Sequence, residues 1–458
     1  MSDSSDMFSI YQKIHFIGIG GIGISALARI LQFKGHHISG SDQTESELTK
    51  ALKNEGIDLR IGHLASHLPN DCNLVIITKA IPKNNPELLE AEKRGVKIMT
   101  YPQAVGLLTQ NYQTISVCGT HGKTTTTSLI GVELIANQQD PTIIVGSLVK
   151  ELGNRNDRIG KSKHFLLESC EYQESFLNYH PQIIVLNNIE EEHLDYFGTK
   201  ERYIEAFEKF LQQLRPNGLL IANGDDENIQ YVLSKVKPPK VILFGLSEKN
   251  NYVIKSQQIF HQKKLLCELN LAIPGQHNIL NATAALILSE YLKLDLTKSL
   301  NALNQFVGAA RRFEIKGKIG KTTIIDDYGH TPTEIKSTLR ALRDKYGKQA
   351  KVLCVFQPHQ YSRTYQFLDQ FAQAFQDVDQ VYIPNIYRTR DSDEDVQKIS
   401  PQILVNKINQ IKPNLAVHTE NFDNTFQLIS ENYQNFDLII TMGAGDITNL
   451  SSRLLQLS

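Results

Sequence analysis

Short apolar runs recur along nearly the whole chain, and stretches with helical spacing fill the intervals between them. That alternation predicts parallel strands joined by crossover helices. Early in the chain the pattern predicts strands at 13–17, 37–40, 74–77 and 97–99. Helices are expected over 22–33 and near 45–55 and 86–94. A second series of strands follows at 114–118, 142–145, 164–168, 183–187, 219–222 and 241–244. A β-rich stretch of alternating polar and apolar positions covers about 252–273, and a helix is expected from 278 to 292. The last series has strands at 322–326, 351–356, 380–383 and 437–441, with helices at 333–345, 364–375, 400–411 and 448–456.

The runs fall into three blocks: 1–112, 113–317 and 318–458. The fold class expected is α/β in three domains. They are a Rossmann-like unit, a central P-loop unit with a parallel sheet and a small β-rich part, and a second doubly wound, Rossmann-like unit. A chain of 458 residues exceeds one ordinary core, which agrees with several domains. Lys and Arg number 48 against 49 Asp and Glu, so no net basic field exists for nucleic acid or an anionic membrane. No apolar run reaches membrane-spanning length. The start, Met-Ser-Asp-Ser-Ser-Asp, does not resemble a signal peptide. Five scattered Cys without Cys-x-x-Cys spacing read as reduced thiols in a cytoplasmic protein, with Cys118 and Cys354 as small core residues. No nucleic-acid or membrane partner is expected, and the chain is expected to be a monomer or homodimer.

The strongest chemical signal is Gly119-Thr120-His121-Gly122-Lys123-Thr124-Thr125-Thr126, directly after the strand at 114–118. A strand, a glycine turn and Lys-Thr opening a helix present backbone N–H groups and a helix N-terminus to phosphate. Lys123 supplies charge and the Thr124 hydroxyl can meet Mg²⁺. The loop is shorter than a strict Walker A motif. Gly18-x-Gly20-Gly21-Ile22-Gly23 gives a second strand-to-helix glycine turn, with Ser41-Asp42 ending the next strand. Taken alone it fits NAD, FAD, a UDP-sugar or simply a tight turn.

Several polar groups sit at predicted strand ends. Glu168 is placed to hold a metal or to be a surface acid, and Glu171 is expected to lie behind it. Glu190-Glu191-Glu192-His193-Leu-Asp195 is an acidic cluster around one histidine, suited to a metal or a γ-phosphate but lacking zinc spacing. His277-Asn278-x-x-Asn281 offers a helix cap or two amides for a nucleobase edge. Arg311-Arg312 is either solvated charge or a phosphate clamp. Asp326-Asp327-Tyr328-Gly329-His330 and Gln357-Pro358-His359-Gln360-Tyr361-Ser362-Arg363 both follow strands, where open α/β sheets place ligands. Gly443-Ala-Gly445-Asp446 reads as mainly structural.

In this order the motifs at 18–25, 119–126, 188–197, 275–282, 311–314, 326–330 and 357–359 resemble the Mur ligase family across nearly the whole chain. The glycine-rich first loop and the 326–330 run are similar to its alanine-adding branch. The resemblance implies ATP-dependent joining of L-alanine to the lactyl carboxylate of UDP-N-acetylmuramate through an acyl phosphate. It implies ATP and Mg²⁺, with Mn²⁺ as the alternative ion. By this resemblance Lys123, His193, Glu168, His359 and Arg363 are catalytic, and Thr124, Glu168 and His193 hold metal. Gly119, Thr120, His121, Gly122, Lys123, Thr124, Thr125, His277, Asn278, Asn281, Arg312 and Asp327 bind ATP. Gly18, Gly20, Gly21, Ile22, Gly23, Ser41, Asp42 and His63 bind the UDP-sugar in the first block. Tyr328, His330, His359 and Arg363 bind the amino acid in the third. The chain departs from the pattern at Thr331, where a second His is common, at Gln360, where Arg is common, and at Thr78-Lys79-Ala80. Competing readings are a murein-peptide ligase adding a recycled tripeptide, a folylpolyglutamate synthetase, an NAD-dependent oxidoreductase and a non-catalytic nucleotide sensor.

Overall fold

The computed structural model describes residues 7–457. The polar start on which the expectation of no signal peptide rests, residues 1–6, lies outside the described residues. The class is α/β, with three sheets in chain order.

The first sheet contains β1 (Lys13–Ile17), β2 (His37–Asp42), β3 (Asp58–Ile61), β4 (Leu74–Ile77) and β5 (Lys97–Thr100), all parallel in the order 3-2-1-4-5. The second contains β6 (Gln113–Cys118), β7 (Thr142–Val149), β8 (Arg155–Arg158), β9 (His164–Glu168), β10 (Ile183–Leu186), β11 (Leu219–Asn223), β12 (Lys240–Gly245), β13 (Tyr252–Lys255), β14 (Gln258–His261) and β15 (Lys264–Glu268). Its order is 15-14-13-12-11-10-6-9-7-8. The middle is parallel; β14 and β15 form an antiparallel meander, and β8 pairs antiparallel with β7. The third contains β16 (Glu314–Ile319), β17 (Thr322–Asp327), β18 (Val352–Phe356), β19 (Gln380–Ile383), β20 (Ala416–His418) and β21 (Leu438–Met442), in the order 16-17-21-18-19-20. Only β16 is antiparallel there. It starts at Glu314, so the expected block edge at 317/318 falls inside a strand of this sheet.

By packing, the chain divides into two compact units. One takes residues up to 270 together with 280–304; the other takes 271–279 together with 305 onward. In the first unit a continuous apolar cluster runs from Phe16 and Leu27 to Leu167, Phe176 and Phe207. The first two sheets therefore share a core. They are also joined by polar contacts. Arg29, from the helix Ile22–Phe33, pairs with Asp157 of β8 at 3.0 Å and with Glu55 at 2.6 Å. In the second unit, apolar residues cover both faces of the sheet: Ile325, Phe356 and Phe371 on one, Ile324, Leu353 and Ile439 on the other. Cys118 and Cys354 are fully buried strand residues, as expected.

The expected helix at 364–375 is two short ones, Tyr361–Gln366 and Leu368–Gln373. The backbone leaves helical geometry at Phe367, with φ −106° and ψ 25°. Among the described residues no helix is long and apolar enough to cross a membrane.

Glu133, on the helix Lys123–Ala136, is fully buried, and neither carboxylate oxygen has a hydrogen-bond partner. Burial raises its pKa well above 4.5, with Ser289 opposing the shift. The native state therefore holds this proton more tightly than the unfolded chain, and stability falls as pH rises above about 4.5. Glu133→Gln removes that loss. Denaturant unfolding at pH 5.5 and pH 8 should show the variant gaining on the parent at the higher pH. Equal changes at both values would contradict a buried neutral acid.

Candidate nucleotide and amino-acid sites

Within the first unit, the turn after β6 forms a narrow, glycine-lined cradle. Gly119 and Gly122 have φ of +128° and +77°, in the left-handed region that favours glycine. A Cβ on Gly119 would stand 2.9 Å from the Asn188 carbonyl, and one on Gly122 would stand 2.7 Å from Asn281 Oδ1. Lys123 opens the helix, and its Nζ donates to the carbonyls of Gly119 at 2.5 Å and Thr120 at 2.8 Å. It also donates to Glu171 Oε1 at 3.2 Å and lies 3.0 Å from Oε2. Burial would lower the Lys123 pKa, but the Glu171 carboxylate together with Cys170 and Glu192 outweighs burial and raises it. Thr120 donates to the Glu190 carbonyl, and His121 Nε2 lies 2.8 Å from Glu190 Oε2. Thr125 is buried on the same first turn.

The expected metal residues fall into two adjoining groups. Thr124 Oγ1 donates to Glu168 Oε1 at 2.9 Å, and Gly146 N–H donates to Oε2 at 2.6 Å. His193 instead meets Glu171 and Glu192: its Nε2 lies 3.6 Å from Glu171 and 3.9 Å from Glu192, and ligand atoms of the three lie within 4.8 Å of one another. Glu171, expected to lie behind the site, is at its centre, because the backbone after β9 turns back towards Lys123. Glu171 Oε2 is buried without a hydrogen bond of its own. Two carboxylates and one imidazole suit a hard divalent ion such as Mg²⁺ or Mn²⁺. Tyr172, not singled out by the sequence, packs on His193 with ring centroids 4.7 Å apart.

The other first-unit loop lies at the ends of β1 and β2. Gly18 and Ile19 N–H donate to the Ser41 carbonyl, and Gly20 N–H donates to Asp42 Oδ2 at 2.8 Å. Asp42, the acid a dinucleotide would need on its ribose, is thus engaged in holding the loop. A Cβ on Gly23 would strike the Tyr101 ring. The Ile22 carbonyl accepts from Asn156 of β8. Lys79 Nζ donates to the Gln173 carbonyl at 2.6 Å, beside two residues of positive φ, Gln173 and Glu174.

The second unit gathers its own set. Tyr328, His330 and His359 form a chain of ring contacts at 5.4 and 5.9 Å, extended by Tyr387 at 5.5 Å. Arg363 is buried, with its guanidinium 3.3 Å from His359 Nδ1. Burial first, then His330, Arg363 and Arg390, push the His359 pKa down to about 3. Asp327 accepts from Phe313 N–H at 2.8 Å and Gly329 N–H at 2.9 Å. Its position thereby fixes the turn that carries Arg311 and Arg312. Arg312 lies over the Tyr328 ring at 4.8 Å, and Arg311 donates to the Gly443 and Gly445 carbonyls. Asn278 Nδ2 donates to the Pro274 carbonyl, a local turn contact, near His277. Thr331 caps the helix Pro332–Tyr346, which gives that departure a structural role. Gln360, with φ +75°, donates its N–H to the Tyr387 carbonyl.

Three family models match in succession: the Mur ligase family catalytic domain over 13–113, the Mur ligase middle domain over 117–289, and the Mur ligase glutamate ligase domain over 311–445. The chain is 39% identical over 455 residues to UDP-N-acetylmuramate–L-alanine ligase of Alkaliphilus metalliredigens, covering 97% of each. The chain belongs to the Mur ligase family. The corresponding enzyme of Agathobacter rectalis is 40% identical to this Mur ligase, over 98% of the chain and 99% of the relative. The crystal structure of UDP-N-acetylmuramate–alanine ligase from Thermotoga maritima superposes with a TM-score of 0.81 at 29% identity, covering 97% of this chain and 98% of that one. A murein peptide ligase from Psychrobacter arcticus shares the fold, with a TM-score of 0.74 at 20% identity over 97% and 98% of the two chains.

Two outcomes follow for this Mur ligase. Glu171→Gln should weaken Mn²⁺ binding, read by electron paramagnetic resonance, by about tenfold or more, since it removes a charged oxygen from the His193 group. Unchanged binding would place the ion elsewhere. Separately, His359 binds its proton less tightly in the native state than in the unfolded chain. Its stabilising effect is full above pH 6.5 and is lost as pH falls towards 3. His359→Gln should flatten the fall in stability between pH 6.5 and 5, and an unaltered slope would count against a buried neutral imidazole.

Proposed function

We propose that this chain joins L-alanine to UDP-N-acetylmuramate with conversion of ATP to ADP and phosphate, in the cytoplasmic synthesis of peptidoglycan precursors. The observation that carries the reading is full-length similarity to alanine-adding Mur ligases, together with a Lys123 loop built to hold phosphate. Blocks 1–112, 113–317 and 318–458 act as the UDP-sugar, ATP and amino-acid domains, the last taking in all of β16 from Glu314.

ATP lies with its phosphates on Gly119–Thr125, and Lys123 neutralises the transferring phosphoryl group. A lactyl carboxylate oxygen attacks the γ-phosphorus and ADP departs, leaving an acyl phosphate. The amine of L-alanine attacks the acyl carbon, loses a proton, and expels phosphate as the amide forms. Thr124 and Glu168 would hold one divalent ion and His193 with Glu171 and Glu192 a second, and such ions would supply charge neutralisation to the phosphates. His277, Asn278 and Asn281 face adenine, and Arg312 and Asp327 serve the nucleotide from the amino-acid domain. Gly18, Gly20, Gly21, Ile22, Gly23, Ser41, Asp42 and His63 hold the UDP-sugar. Tyr328, His330 and His359 line the amino-acid pocket, where Arg363 takes the carboxylate.

Phosphate release from Mg-ATP and UDP-N-acetylmuramate should be strongest with L-alanine, weaker with glycine and L-serine, and absent without an amino acid. Lys123→Met should lower the rate by about 10²–10³-fold. Release only with the murein tripeptide would reassign the chain to the recycling ligase. Release with no nucleotide-sugar present would overturn the reading.

A further inference from the structure

Glu87 is a fully buried carboxylate in the first sheet's domain, and the reaction outlined above gives it no role. It stands in the first turn of the helix Pro86–Lys93, whose N-cap Asn85 accepts from the Glu87 and Leu88 N–H groups. A helix N-terminus favours negative charge at that point. Three side chains converge on the carboxylate. Ser41 Oγ donates to Oε1 at 2.7 Å, His63 Nδ1 lies 2.8 Å from Oε1, and His15 Nε2 lies 2.8 Å from Oε2. Burial acts to raise the Glu87 pKa, but these three partners outweigh it and lower the pKa. Glu87 is thus an ionised, acceptor-only group.

That fixes the protons around it. An ionised carboxylate cannot donate, so both imidazole nitrogens facing it must carry N–H. His15 therefore donates through Nε2, and its Nδ1 is left to accept from Ser39 Oγ at 2.8 Å. His63 donates through Nδ1, with Ser41 Oγ 3.0 Å away. With a single proton on the ring, the His63 lone pair lies on Nε2, the nitrogen with no partner among the described residues. His63 follows β3 at Gly62, which has φ +82°, on the same edge as Ser41 and the Gly18–Gly23 loop. Ser41 also ties the network to that loop, because its carbonyl accepts from Gly18 and Ile19.

We propose that Glu87 is a positioning residue for the UDP-sugar, holding His63 in the Nδ1–H form so that Nε2 accepts a hydrogen bond from the uridine half of the substrate. The donor is an N–H or O–H group: the imide of the base or a ribose hydroxyl. This rests on the UDP-sugar reading of the first domain and adds the element that sets the histidine's polarity. The same histidine with its proton on Nε2 would present a donor and repel that group, so the buried carboxylate decides whether the site accepts or donates.

Two measurements test it. Steady-state kinetics on Glu87→Leu, His63→Ala and the double variant read the KM for UDP-N-acetylmuramate apart from kcat and from the KM for ATP. Glu87→Leu should raise the first about tenfold and leave the others within about twofold. The double variant should match His63→Ala, because Glu87 acts through His63. Separate, additive effects, or a KM for ATP and kcat that shift equally, would overturn the proposal in favour of a purely structural acid. Nitrogen-15 spectra of the histidines in the parent protein, assigned with His63→Ala, read the tautomer without any change at Glu87. Nδ1–H is expected, and Nε2–H would overturn the proposal even if Glu87→Leu failed to fold. No turnover of UDP-N-acetylmuramate by the parent protein would count against the parent reading instead.

Discussion

The contact on which the first unit's site depends is the pair between Lys123 and Glu171. One turn of backbone after β6 and another after β9 bring an ammonium and a fully buried carboxylate to 3.0 Å. A buried pair is poor evidence for stability, because desolvation offsets much of the attraction. Its consequence is geometric. Lys123 is held over the glycine cradle by two carbonyls and one carboxylate, and Glu171 is turned towards His193 and Glu192. Loss of either partner leaves a buried charge uncompensated, at a cost of about 3–5 kcal/mol. Lys123 and the Glu171–Glu192–His193 group are therefore placed by a single contact.

The glycine loop on the first sheet is held by its neighbours along the backbone and across the sheets. Asp42 and the Ser41 carbonyl hold its backbone, and Asn156 of the second sheet holds the Ile22 carbonyl at the start of the following helix. Arg29 on that helix reaches Asp157. The two loops of the first unit are thus mounted on elements that share a core and a polar latch. In the second unit Asp327 does comparable work, pinning the Arg311–Phe313 turn by the Phe313 N–H while Tyr328 stacks beneath Arg312. Positioning of this kind suits chemistry in which the protein supplies orientation and charge.

Much of this was legible in the sequence. The parallel strands are continuous apolar runs because both of their faces are covered, and they stood out for that reason. β8 did not, since Arg155–Arg158 is wholly polar; it is a buried strand because Asn156 and Asp157 answer Arg29. β16 was hidden by half-exposed alternation with a bulge between Ile315 and Gly317. The Lys123 loop was legible because glycine, lysine and threonine there serve one anion. The central place of Glu171 does not show in the sequence, because distance from a strand end does not reveal which way the backbone turns. Glu87 carries no chemical signal in the sequence, and only the fold brings His15, Ser41 and His63 to it.

In the proposed reaction the Lys123 loop serves to activate a carboxylate by phosphoryl transfer. The most direct measurement follows oxygen from UDP-N-acetylmuramate labelled with ¹⁸O in its lactyl carboxylate, incubated with ATP and L-alanine. Attack of that carboxylate on the γ-phosphorus, then expulsion of phosphate by the amine, moves one labelled oxygen into inorganic phosphate. Recovery of ¹⁸O in phosphate is the predicted result. Amide formation with no label in phosphate would contradict the account.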